Sequence, residues 1–262
     1  MIRMALCELT KLTPPDLCGE RSLPWLGILV AMSRASWHKA RVNDCRVVLF
    51  DFDGILVDTE WAIYQAWCRC FEAEGCELPL SLYTRCIGSD FATWSPKSYL
   101  EELTGKTFDW AALDHERQKE IVHELSDEGA MDGVHELIDT LRSQDLCLGV
   151  VSSSSHHWVD RWLDQLEISA HFSHVVCRGD APRIKPAPDL WLEAARRFSL
   201  PSAQCLAIED SHNGLISAQE AGMPVWVVPN RVTSCLDFSS AQARFDSLHG
   251  IAERFKARAG VA

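Results

Sequence analysis

Five short apolar runs, the last four separated by segments of helical period, constrain this chain more than any other feature. The runs cover residues 47–50, 146–151, 174–177, 205–208 and 225–228. Their length and branched content suit strands buried on both faces of a parallel sheet. Helical spacing is read over 135–143, 157–166, 188–198 and 213–220. The second of these carries Val159, Trp162, Leu163 and Leu166 on one side. Pro188 stands near the first turn of the third, and Gly222 and Pro224 follow the end of the fourth, as helix starts and stops require. The alternation predicts an α/β fold, a Rossmann-like parallel sheet core with helices on both faces.

Residues 61–130 break the alternation. They show helical period and no strand, with Tyr64, Trp67, Cys68 and Phe71 in one stripe and Leu113, Arg117, Glu120, Ile121 and Glu124 in a more polar one. Roughly 70 residues exceed a simple crossover, so the segment is read as an inserted α-helical cap over the active site. The core then comprises 44–60 and 131–262, and the glycines at 129 and 133 mark a second hinge. Residues 1–43 are expected to be an accessory or disordered leader; a wrongly assigned start codon is the other reading. Its apolar stretch at 23–32 is too short to span a bilayer. Arg21 before it, and Ala31, Arg34 and Ala35 after it, give a faint likeness to a signal peptide. Glu8, Asp16, Glu20, Pro14 and Pro15 oppose that likeness.

The formal net charge of −12 argues against a nucleic-acid surface, which needs clustered Lys and Arg. It leaves room for an anionic small substrate, because a local cation reverses the field inside one pocket. The eleven cysteines form no Cys-x-x-Cys pair. Cys147, Cys177 and Cys205 fall in expected core strands, where a free thiol acts as a small apolar group. Reduced thiols and a cytoplasmic protein are expected, with no membrane partner, as a monomer or homodimer.

Chemistry concentrates at the ends of the apolar runs. After the first stand Asp51-Phe52-Asp53-Gly54. Two carboxylates two residues apart on a strand face the same way and repel unless a cation or shared proton offsets them. An oxygen-rich site of this kind suits Mg²⁺. The competing reading is a turn capping a helix. After the second run, Ser152 and Ser153 open a serine row that can donate to a phosphate oxygen beside backbone N–H groups. Alternatively the row is a loop with Ser154 or Ser155 as a helix N-cap. Lys185 is followed by Pro186 and Pro188, which predicts a rigid extended loop; its ammonium can neutralise phosphate or hold a carboxylate ionised. The fourth run ends in Glu209-Asp210-Ser211, a second carboxylate pair that can complete a cation site, with Asp210 or Ser211 also able to cap the next helix.

In order and position these four motifs resemble the haloacid-dehalogenase-like superfamily over about residues 45–230. The phrases beginning at Leu56, Lys185 and Glu209 are most similar to its small-helical-cap subfamily, which includes phosphoglycolate phosphatase, sugar-phosphate phosphatases and β-phosphoglucomutase. The resemblance implies that Asp51 is the nucleophile, forming an aspartyl-phosphate, and that Asp53 is the general acid and then base. It implies Mg²⁺ on Asp51, the Asp53 carbonyl and Asp210, with Glu209 completing or orienting the set. Ser152 and Lys185 would bind the transferring phosphoryl, helped by backbone N–H groups near Gly54 and Ser153.

The expected activity is a Mg²⁺-dependent phosphomonoesterase for a small phosphorylated metabolite such as a sugar phosphate. The alternatives are a phosphomutase of the β-phosphoglucomutase type and a non-catalytic binding protein that keeps the fold. The mutase branch has a histidine in the first cap helix and an arginine in a later cap loop. Residues 60–65 here hold no histidine and 87–91 no arginine, which favours hydrolysis. The metal-free dehalogenase branch fits poorly because Asp53 and Asp210 are both present. Lys97, Lys106 and Lys119 lack the apolar setting of a Schiff-base lysine. Trp94 is a candidate for stacking on substrate or, alternatively, for cap packing. His156, His157 and His212 are read as helix-surface residues.

Overall fold

Strand β1 (Val47–Phe50) is buried along its whole length and lies in the middle of the sheet. The computed structural model describes residues 44–89, 94–126 and 128–259, all within one compact unit, His38–Ala262. The expected leader at 1–43 lies outside the described residues. Around β1 stand β2 (Cys147–Ser155), β3 (His174–Arg178), β4 (Cys205–Glu209), β5 (Val225–Val227) and β6 (Ala243–Arg244). Their order is β3-β2-β1-β4-β5-β6, and every pairing is parallel.

Alternate side chains of β1 serve different cores, as a two-residue repeat demands. Val48 and Phe50 join a cluster with Val150, Leu206 and Ile208, while Val47 and Leu49 join another with Ala207, Leu215 and Trp191. The first cluster is covered by α5 (Val134–Arg142), α6 (His156–Gln165) and α9 (Leu248–Ala259). The second is covered by α7 (Asp189–Arg197) and α8 (His212–Glu220). The α/β sheet with helices on both faces is therefore observed.

Between β1 and β2 lie α1 (Thr59–Ala73), α2 (Leu80–Tyr83), a short 3₁₀ turn Thr84–Cys86, α3 (Pro96–Thr104) and α4 (Trp110–Leu125). Helix α3 follows an extended Ser95, opens on Pro96 and stops at Gly105, whose φ of 67° few other residues adopt. The helical segment has its own apolar cluster, with Trp67, Phe71, Leu78, Tyr83 and Leu100 buried. Trp67 is fully buried between α1 and α4, and the Arg117 guanidinium lies 3.6 Å from its ring centroid. The two chain crossings into and out of this segment are tied together, since Met131 N–H donates to the Leu56 carbonyl at 2.9 Å.

Several local expectations change. Strand β2 runs on through the serine row to Ser155, with its register to β3 irregular between Val151 and Ser155; the row is strand end rather than loop. Ser155 occupies the N-cap position of α6 without a side-chain cap bond. Cys147 is exposed at the start of β2 rather than buried. Strand β6 and helix α9 were not anticipated.

Candidate active site

Register places the acidic residues at one level. Val47 lies opposite both Cys147 and Cys205, and Phe50 opposite both Val150 and Ile208. The next residue, Asp51, donates its N–H to the Ile208 carbonyl at 2.9 Å. Asp51 thus leaves β1 beside the ends of β2 and β4, where open α/β sheets bind ligands.

Lys185 reaches this point from the loop between β3 and α7. Its side chain is fully buried, with Nζ 2.6 Å from Asp51 Oδ1 and 2.6 Å from Glu209 Oε1. Trp191 stacks beneath it, its ring centroid 4.7 Å from Nζ. Glu209 Oε2 accepts from the N–H groups of Asp210 and Ser211 and from the Ser211 hydroxyl, at 3.1, 3.2 and 3.1 Å. Both oxygens of Glu209 are therefore occupied. Ser211 caps α8 by accepting from Gly214 N–H at 3.0 Å, so the cap is Ser211 and not Asp210.

Asp210 differs. Its Oδ2 accepts from Asn230 Nδ2 at 2.7 Å, whereas its buried Oδ1 has no hydrogen-bond partner. Oxygens of Asp51, Glu209 and Asp210 lie within 4.8 Å of one another. One ammonium cannot balance three buried carboxylates. Burial, then the charge of Glu209, pushes the Asp51 carboxyl up to about 8 although Lys185 opposes the rise. Burial, then Glu209 and Asp51, lifts Asp210 well above the usual carboxylate range. Burial pulls the Lys185 ammonium down, but Asp51 and Glu209 more than reverse this and leave it raised. A bare carboxylate oxygen in an all-oxygen cluster of excess negative charge fits a hard divalent cation.

Asp53 is half-buried and held by four donors. Its Oδ1 accepts from Thr59 Oγ1 at 2.7 Å and Trp158 Nε1 at 3.0 Å, and its Oδ2 from Ser154 Oγ at 2.7 Å and Ser152 Oγ at 3.3 Å. The Ser152 hydroxyl thus points to Asp53 and also accepts Ser154 N–H at 3.0 Å. Gly54 corrects one expectation. Its N–H donates to the Val57 carbonyl at 2.8 Å and is not a free phosphate donor. Its φ is 82°, and a Cβ there would stand 2.5 Å from Asp210 Oδ2, so the glycine provides clearance for Asp210.

A cavity of about 130 Å³ opens on Asp51 and Asp53 and is walled by Glu60, Ile87, Ser154 and Arg178 among others. The segment 87–89 closes it from the helical side. Ser153 Oγ donates to the Gly88 carbonyl at 3.1 Å, Asn213 Nδ2 to the Ile87 carbonyl at 2.7 Å, and Ser89 Oγ to the Lys185 carbonyl at 2.7 Å. A Cβ on Gly88 would meet Ser211 Oγ at 2.2 Å. Glu60 is buried in this wall; burial, then the charges of Asp53 and Asp51, raises its carboxyl well above normal. Trp94 packs on Tyr99, with centroids 5.9 Å apart, inside the helical cluster. His212 is exposed, and His156 pairs with Asp160 and Asp180.

All eight residues singled out from the sequence, Asp51, Asp53, Gly54, Ser152, Ser153, Lys185, Glu209 and Asp210, meet around this region. Thr59, Glu60, Trp158, Arg178 and Asn230 were not assigned a role from sequence, and Ser154 only that of an alternative helix cap. Only Ser154, in the serine row, and Thr59-Glu60, in the phrase after Asp58, carried any signal.

The fold and site define an α/β enzyme with a carboxylate–lysine centre at the carboxyl ends of its parallel strands. A family model described as haloacid dehalogenase-like hydrolase matches residues 48–228, and the chain belongs to that family. It is 36% identical over 203 residues to a Bacillus subtilis (strain 168) protein named "Putative phosphatase YhcW", covering 78% of this chain and 92% of that one. It is 32% identical to protein CbbY of Rhodobacter capsulatus, covering 80% of this chain and 96% of the relative. The solved structure of CbbY from Rhodobacter sphaeroides in complex with phosphate shares the fold. Its TM-score is 0.61 at 23% identity, over 78% of this chain and 95% of that one.

Proposed function

We propose that the chain is a Mg²⁺-dependent phosphomonoesterase that hydrolyses a small phosphorylated metabolite through an aspartyl-phosphate on Asp51. The observation that carries this reading is the pairing of buried Asp51 with Lys185 beside the bare Asp210 Oδ1, with Asp51 and Asp53 both lining one cavity. The name of a phosphoglycolate phosphatase of Escherichia coli O157:H7, 30% identical over 207 residues, supports it, while a beta-phosphoglucomutase of Bacillus subtilis, 26% identical over 189 residues, bears the name of the mutase alternative.

In this reading residues 61–130 are a cap, and Asp51, the Asp53 carbonyl and Asp210 hold the ion. Mg²⁺ supplies positive charge against the phosphoryl oxygens and the clustered carboxylates. One Asp51 oxygen forms a bond to phosphorus while the bond to the ester oxygen breaks, and Asp53 delivers its proton to the departing alkoxide. Water then attacks the acyl-phosphate, Asp53 takes its proton, and inorganic phosphate leaves with Asp51 restored. Lys185 balances charge on Asp51 and the phosphoryl group throughout. Glu209 fixes Lys185, and Ser152 and Ser154 orient Asp53. Ser153 lines the cavity and its hydroxyl holds the closing segment. The nine described cysteines are free thiols, which supports a cytoplasmic setting. Among the described residues no helix is long and apolar enough to cross a membrane.

Turnover of p-nitrophenyl phosphate with Mg²⁺ tests the reading. Asp51→Asn is expected to abolish it while the thermal melt persists. Wild-type rates in that variant would remove Asp51 as nucleophile, and a wild-type protein indifferent to Mg²⁺ would remove the metal.

A further inference from the structure

The turn after β5 reaches three places at once. Asn230 Nδ2 donates to Asp210 Oδ2 at 2.7 Å and to the Gly54 carbonyl at 3.4 Å. The next residue, Arg231, pairs with Asp58 Oδ2 at 2.7 Å and lies 4.3 Å from the centroid of the Trp61 ring. Val232 is fully buried in the apolar cluster of the helical segment. Among the described residues it is the only member of that cluster from outside 61–110. Consecutive side chains of one turn therefore tie together Asp210, the start of α1 and the interior of the helical segment.

The turn is stiff enough to pass a displacement on. The Asn230 amide oxygen accepts from the Val232 and Thr233 N–H groups at 2.9 and 3.1 Å, and Asn230 N–H donates to Thr233 Oγ1 at 3.1 Å. Thr233 is fully buried. A shift of Arg231 or Val232 therefore turns the amide that faces Asp210. On the other side of the contact, Asp58 stands at the N-cap position of α1 without a side-chain cap bond, and its Oδ1 has no hydrogen-bond partner. Among the described residues Arg231 is its only ion-pair partner. The pair lies in a cleft of about 490 Å³ that also takes in Glu124 and Glu128 at the second crossing. Both chain crossings and the turn thus meet in one place.

We propose that Arg231 and Val232 are positioning residues: through Asn230 they make the hold of Asp210 on Mg²⁺ depend on how the helical segment is seated. The proposal rests on the phosphatase reading for the ion at Asp210. Outer partners that orient a ligand carboxylate govern metal affinity, and here the outer partner is itself held by α1 and by the helical cluster. Seating the segment tightens the ion, and by linkage the ion favours the seated segment by the same factor. Charge alone predicts the opposite for Arg231. A cation near the site repels Mg²⁺, so through its field its removal leaves affinity unchanged or raises it.

Calorimetric Mg²⁺ binding without substrate separates position from field. Arg231→Gln is expected to weaken binding about two- to five-fold, the range a half-exposed ion pair transmits, although a cation has been removed. Val232→Ala, which changes no charge, is expected to weaken it too. Arg69 lines the same cleft, but its ion pairs with Glu120 and Glu124 stay within the helical segment. Arg69→Gln is expected to bind as the wild type does. Hydrogen exchange in metal-free protein reads the coupling a second way: the Val232 and Thr233 amides are expected to exchange faster in Arg231→Gln. Thermal melts establish that each variant is folded; should Val232→Ala not fold, the test stands on Arg231, whose side chain is half-exposed. Unchanged or tighter Mg²⁺ binding by Arg231→Gln, unchanged binding by folded Val232→Ala, unchanged exchange at the two amides, or an equal loss in Arg69→Gln overturns the proposal. The phosphatase reading fails separately, on a wild type that binds no Mg²⁺ or leaves p-nitrophenyl phosphate intact, and the exchange measurement needs neither.

Discussion

Asn230 grips Asp210 by one oxygen and leaves the other bare. Its own Oδ1 accepts from Val232 N–H, Thr233 N–H and the Thr233 hydroxyl, so the amide that faces Asp210 is fixed by its turn. Partners that orient a ligand carboxylate matter to the ion nearly as much as the ligand does. Asn230→Ala is therefore expected to raise the Mg²⁺ concentration needed for half-maximal turnover by about ten-fold. A Mg²⁺ titration checks this, and an unchanged requirement overturns it. Asp51 and Asp210 were visible in the sequence because a polar pair directly after an apolar run is an unusual end for a strand. The grip on Asp53 was not. The serine row and Thr59 stood out as residues but not as donors to Asp53, and Trp158 stands 105 positions away along the chain with nothing local to announce the contact. The phosphate role that the resemblance implied for N–H groups near Gly54 is not one the Gly54 amide itself is free to take, since it is bonded to Val57, and only the fold shows Asp210 pressed against the glycine.

Helix α1 links the helical segment to the core, and Trp67 is its largest buried side chain, lodged against Trp110 at 6.1 Å between centroids. Trp67→Ala is expected to cost about 3–5 kcal/mol of stability, as large-to-small changes in packed cores do. Urea unfolding checks the value; a loss below about 1 kcal/mol overturns it, since even full collapse of the void leaves the transfer cost of the removed ring. The buried central strands were legible because parallel strands covered on both faces are continuous apolar runs. Strand β6 was not, since Ala243-Arg244 is two residues at the edge of the sheet. Helix α9 held a readable pattern, with Leu248, Ile251, Ala252 and Phe255 all buried at helical spacing. Its reading needed a partner face on α5 that sequence alone does not supply. The extension of β2 to Ser155 was hidden because four serines look like a loop.

At the scale of the whole molecule the buried acids set how stability depends on pH. Asp51 moves from an ordinary value of 3.8 to about 8 in the metal-free fold, and Asp210 and Glu60 move the same way. A raised acid stabilises the fold fully below its unfolded value, and that contribution is lost as pH rises through the folded value. The opposite contributions, such as Glu193 held at about 2 by Arg196 and Arg197, are complete once pH exceeds the ordinary carboxylate range. Metal-free protein is therefore expected to melt at progressively lower temperature between about pH 4 and pH 8. Protection by Mg²⁺ should grow over the same window, because binding to the folded state alone adds stability. Thermal melts with Mg²⁺ and with chelator across that range check this, and a pH-independent difference between them overturns it. The closing segment has a consequence of another kind. Ile87 and Gly88 are clasped by their carbonyl groups, which every amino acid possesses. The clasp at position 87 does not depend on the side chain, so an exchange there reshapes the wall of the reaction chamber while the clasp endures, at the cost of refitting the helical cluster in which Ile87 is buried. Position 88 has no such liberty, because the Ser211 hydroxyl already occupies the room a side chain would need. Descendants of this enzyme can change diet at one residue and must keep its neighbour.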